Sequence, residues 1–81
     1  MATLHILRNL DSDLCRQSID GTAGDTLLLI QDAVLNPGPF DCKVSVCRDD
    51  LAARSLETEH DALSYDDIRD LMLAHERVVL W

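Results

Sequence analysis

Eighty-one residues are too few to build two hydrophobic cores, since single domains commonly take ~100–150, so one domain over residues 1–81 is expected. With 47% hydrophobic and 27% charged residues the chain lies outside the composition of disordered proteins. Seven Lys and Arg against fifteen Asp and Glu give a net charge of −8, which repels phosphate backbones and anionic lipid. Direct nucleic-acid and membrane binding are therefore not expected, whereas the charge suits a basic protein partner as well as simple solubility.

The longest apolar runs, Leu27–Ile30 and Val78–Trp81, fall far short of the ~20 residues that span a bilayer, and no basic segment precedes an apolar one at the N-terminus. A soluble, cytoplasmic protein is the expectation. Cys15, Cys42 and Cys47 form an odd set with no CxxC spacing, so neither a disulfide framework nor a metal site is anticipated, and no cofactor is implied.

Thr3 to Leu7 reads as a first strand, closed by Arg8-Asn9. Asp11-Ser12-Asp13 offers side-chain oxygens for an N-cap, and Leu14, Cys15, Ser18 and Ile19 follow at helical spacing until Gly21 and Gly24. Asp25 to Gln31 is apolar at its centre without alternation, the pattern of a strand covered on both faces in a parallel sheet. From Asp32 to Asp41, Pro37-Gly38-Pro39 forbids a long helix and leaves room for one turn at Asp32–Leu35.

Cys42 to Cys47 alternates as a third strand, with Cys42, Val44 and Val46 on one side and Lys43, Ser45 and Cys47 on the other. Arg48 to Leu56 begins with acidic residues suited to a helix N-terminus and makes a helix of about two turns. A charged connector, Glu57 to Asp61, leads to an extended Ala62–Ser64. Ser64 then caps a helix from Tyr65 to His75 whose Ile68, Leu71, Met72 and His75 share one stripe, and Arg77 to Trp81 is a last strand. The order predicts an α/β fold, a small open and mostly parallel sheet flanked by helices.

Five segments in this order, Leu4-His5-Ile6-Leu7, Leu27 to Val34, Asp50-Leu51-Ala52-Ala53-Arg54-Ser55, Tyr65 to Leu71, and Val78 with Trp81, resemble the DsrH/TusB family. The corresponding family patterns read LHxL, LLLxQDGV, DLxARG, DYxxFVxLT and a closing VxxW. The resemblance implies a DsrE/F/H-like fold and a role as the smallest subunit of a sulfur-relay complex with DsrE/TusD-like and DsrF/TusC-like proteins. Such complexes pass persulfide sulfur toward 2-thiolation of the tRNA wobble uridine or toward sulfur oxidation. Departures are Ala33 and Ser55, each where the family has Gly, Ile68 in place of Phe, and Asn36–Phe40 in place of a longer helix.

Sulfur transfer requires an accessible thiolate near positive charge or a helix N-terminus. Cys15, near the start of the first helix and beside Arg16, is the candidate catalytic thiol, read against the plainer role of a small buried residue. Cys42 and Cys47 are expected in the core, and the three histidines show no ligand spacing. Asp32 and Arg54 belong to the recognised motifs, with Asp32 expected to cap a turn or to pair with a cation.

Val34, Tyr65 and Trp81 are the candidate interface residues. The short crossover at Asp32–Asp41 is expected to leave the apolar face of Leu27–Ile30 and Val44–Val46 uncovered, which predicts a homo-oligomer alone and a mixed complex with DsrE- and DsrF-like partners. A non-catalytic subunit is the leading expectation, beside a persulfide carrier using Cys15 and a homo-oligomeric scaffold without relay activity.

Overall fold

The computed structural model describes residues 2–36 and 38–81. In chain order it contains β1 (Thr3–Leu7), α1 (Asp13–Ser18), β2 (Thr26–Leu29), β3 (Lys43–Cys47), α2 (Arg48–Ala53), β4 (Asp61–Leu63), α3 (Tyr65–Leu73) and β5 (Arg77–Leu80), with short 3-10 helices at Gly21–Ala23 and Gln31–Leu35. The strands form one open sheet in the spatial order β4-β3-β2-β1-β5. Every neighbouring pair is parallel, so the small α/β sheet flanked by helices is parallel throughout. No helix among the described residues is long and apolar enough to cross a membrane.

Local chemistry sets the ends of the elements. Ser12 caps α1 by accepting the amide of Cys15 at 3.2 Å, and Ser64 and Asp67 close a reciprocal capping box at the start of α3, each bond 3.2 Å. α3 stops at Leu73, short of the expected His75, and the His75 ring Nδ1–H donates back to the Leu71 carbonyl at 2.8 Å. α2 also ends early, at Ala53. Ser55 adopts φ 53° while the amides of Leu56 and Ser55 return to the carbonyls of Leu51 and Ala52, a Schellman ending with Leu56 packed beside Leu51. Ser55 thus occupies the left-handed position that glycine fills at low cost. Ala33, the other departure, needs no such conformation and packs fully buried in the 3-10 helix.

The first face of the sheet holds the larger core. Leu7, Leu27, Leu29, Val44 and Val46 meet Cys15 of α1, Ala33 of the 3-10 crossover and Leu51 of α2, with Ile19, Val34, Phe40 and Leu56 packed around them. This overturns the expected exposure of Leu27–Ile30 and Val44–Val46. The crossover is irregular, but it is one of three short pieces that cover the face together, and the argument for self-association from that face falls with it.

The second face is covered differently. β1 to β4 are laid down in one direction, and α3 then crosses back from β4 to β5 at the opposite edge. It packs Ile68 and Leu71 on Leu4, Ile6 and Leu28. Nine residues at 1.5 Å rise give a helix about 14 Å long, against about 19 Å across five strands, so part of this face stays open. Tyr65, Met72, Val78 and Leu80 are exposed there.

Candidate functional site

Two residues 76 positions apart meet through a hydrogen bond: the Trp81 indole Nε1–H donates to His5 Nδ1 at 3.1 Å. The rings stack with centroids 6.2 Å apart. Because an indole nitrogen can only donate, His5 Nδ1 must accept, which leaves the ring proton on Nε2. That proton is donated to Asp25 Oδ2 at 3.0 Å, between side chains that are both almost completely buried. Asp25 also accepts the amides of Thr3 and Asp20, each at 2.9 Å. Burial alone would raise its pKa, but these backbone donors and the His5 ring hold the carboxyl below the usual carboxylate range. The set joins β1, β2 and the residue after β5 into one polar tie. Trp81, expected at an interface, is directed into this tie and is partly buried against the first-face core.

A second pair also meets. Arg54 donates to Asp32 Oδ1 at 3.0 Å and to the Asp50 carbonyl at 3.1 Å, tying the 3-10 crossover to α2. This is the cation partner expected for Asp32. Asp50 in turn accepts the amide of Gln31 at 2.8 Å and so holds that residue at φ 51°, where the chain turns off the carboxyl end of β2.

The three thiols are free and sit in unlike surroundings. Cys15 is buried in the first-face core. Burial, then the neighbouring Cys42 sulfur, push its pKa up to about 11, and the nearby Arg16 cation does not reverse this. At neutral pH it is a protonated thiol, the reverse of what activates a sulfur nucleophile. Cys42 is partly buried, and its pKa is also raised by burial, with Asp25 adding to the effect. Cys47 is buried at the carboxyl end of β3, where burial outweighs the Asp50 and Asp49 amides and leaves its pKa raised.

Tyr65 and Val34 lie on opposite sides of the molecule. Val34 lines a cleft of about 430 Å³ beside Leu29, Val46, Leu56 and Glu57. Tyr65 lines a groove of about 280 Å³ on the second face, together with Cys47 and Asp50. Among the described residues no group of His, Cys, Asp and Glu is placed to hold a metal ion.

Sequence reasoning missed Asp25, Gln31 and Asp50 as functional positions. The available signal for Asp25 was a carboxylate directly ahead of an unalternating apolar strand, where burial demands partners. No family model and no curated protein matches this chain.

Proposed function

We propose that this chain is a non-catalytic subunit of a cytoplasmic sulfur-relay complex of the DsrEFH/TusBCD kind, completing an assembly with DsrE/TusD-like and DsrF/TusC-like proteins. The complex would serve either tRNA wobble-uridine 2-thiolation or sulfur oxidation. The observation that carries the reading is the pairing of the motif residues. His5 binds Trp81 and Arg54 binds Asp32, so four of the five segments that resemble the DsrH/TusB family meet in two pairs in space. The non-catalytic role is supported by the thiols, two of them buried and all three held toward the protonated form.

The test is co-expression with the DsrE- and DsrF-like proteins of the same genome, followed by purification through a tag on one partner and assay of the reconstituted relay. A stable mixed complex is expected, and Cys15→Ser should leave its relay activity nearly unchanged. A hundredfold loss, or a persulfide adduct confined to Cys15 after loading with a persulfide donor, would make the chain a sulfur carrier. A homo-oligomer that ignores both partners would make it a stand-alone scaffold.

A further inference from the structure

The open part of the second face is a shaped groove. Its floor is Ile6 and Leu28, its walls are Ile68 and Met72 of α3 and Leu80 of β5, and Tyr65 and Asp50 are among the residues that line the rest. Tyr65 is 66% exposed and Leu80 56%, so two large side chains are left in water beside a cavity of about 280 Å³. That volume lies just below the ~300–1,000 Å³ range of small-molecule sites, and suits a partner's side chains better than a cofactor.

The electrostatics of the groove narrow the choice of occupant. The Tyr65 pKa is raised by the Cys47 sulfur, whose share arises only once that thiol ionises, and by Asp49 and Asp50, and these two carboxylates, charged at neutral pH, make the mouth of the groove acidic. Asp66 and Asp67 follow Tyr65 in the first turn of α3, with Arg48 the cation that acts on Asp67. A second copy meeting this groove about a two-fold axis would bring the same acidic residues against one another, on chains that each carry −8. Anionic lipid and nucleic acid are disfavoured on the same ground.

We propose that the groove between α3 and β5 docks an apolar side chain flanked by Lys or Arg on a partner protein of the relay complex. The assignment rests on the reading given under Proposed function. The apolar anchor fills the space over Ile6 and Leu28, and the flanking cations meet Asp49, Asp50 and Asp66. Binding of this kind weakens with salt, because its charged part is exposed at the rim.

Two measurements test it separately from the relay reading. In the first, a short synthetic peptide with Leu and Phe at helical spacing among lysines and arginines is titrated into the isotope-labelled protein, and backbone amide shifts are followed. Shifts centred on Ile6, Tyr65, Met72 and Leu80 are expected, weaker at high salt. Met72→Glu and Leu80→Glu should each reduce affinity at least tenfold, whereas Leu73→Glu, exposed but outside the groove, should leave it unchanged. Binding that is equally strong for a peptide with glutamates in place of the cations, or shifts centred elsewhere, would overturn the proposal. So would self-association abolished by Met72→Glu.

In the second measurement, hydrogen exchange is compared between the free chain and the co-expressed mixed complex. Protection over Tyr65–Met72 and β5 is expected. Protection confined to the exposed Leu10, Leu14 and Leu35 would refute the groove while leaving the relay reading intact. If no mixed complex forms, the relay reading fails and the peptide titration still decides the groove.

Discussion

Replacing Asp25 tests whether the buried tie between β1, β2 and Trp81 acts as a unit. Asp25→Ala removes the acceptor for three donors, of which the Asp20 amide belongs to an exposed residue and can turn to water. The Thr3 amide and the His5 Nε2–H stay inside without partners. At about 1–3 kcal/mol for each stranded buried donor, the loss is about 2–6 kcal/mol. An 81-residue domain has a total stability of about 4–12 kcal/mol, so this variant would be marginal.

Asp25→Asn is the measurable form. Its single oxygen cannot serve all the donors, so about one charge-assisted bond is lost, about 1.5–3 kcal/mol. If the new NH₂ faces His5, the ring proton must move to Nδ1, where it opposes the Trp81 indole N–H. Trp81 is the only tryptophan, so urea unfolding followed by its fluorescence reads both effects. A lower midpoint and a changed native emission spectrum are expected. A midpoint matching that of the exposed control Asp70→Asn, with native emission as in the parent protein, would refute the coupling.

The same carboxyl governs part of the acid response. Its folded pKa lies below the unfolded value, so its stabilisation is complete above about pH 4 and fades as pH falls through the folded pKa. Asp25→Asn should therefore flatten the fall in stability below pH 4, and an unchanged slope would contradict the burial of an ionised Asp25.

Three further outcomes follow from local geometry. Ser55→Gly relieves a left-handed residue at the Schellman ending of α2 and should raise stability by up to about 1 kcal/mol, read as a shift in urea midpoint with unchanged m. Native alkylation with iodoacetamide at neutral pH, followed by mass spectrometry, should modify Cys42 before Cys15 or Cys47, with all three modified only after denaturation. Gly21→Ala drives a Cβ into the Asp41 backbone oxygen, so the 3-10 turn or the lead into β3 must move, at a cost of about 1–3 kcal/mol in thermal or urea unfolding.

Much of the fold was readable because its signals are local. Ser12 and Ser64 cap the helices that begin after them, and the unbroken Leu27-Leu28-Leu29 run does lie in a central parallel strand, buried on both faces. The site was less readable because its parts are brought together by topology. Asp25 looks like a turn residue after Gly24, and only the β1–β2 register, which sets His5 beside Leu27, turns it toward an imidazole twenty residues earlier. The pairing of Arg54 with Asp32 was within reach, since both belong to recognised segments, but the link through Asp50 to a left-handed Gln31 was not.

The misplaced open face has the same origin and shows what a count of helices leaves out. The irregular sequence of the β2–β3 connection reads as poor cover for its strands, yet cover needs side chains at the right places more than regular backbone. Cys15, Ile19, Ala33, Val34, Phe40 and Leu51, drawn from several short segments, supply it. The longest and most clearly signalled helix, α3, carries the whole second face by itself because it must run from one edge of the sheet to the other. Regularity there left a gap that irregularity closed elsewhere. The apolar surface that α3 leaves open therefore lies beside Tyr65, Met72 and Leu80.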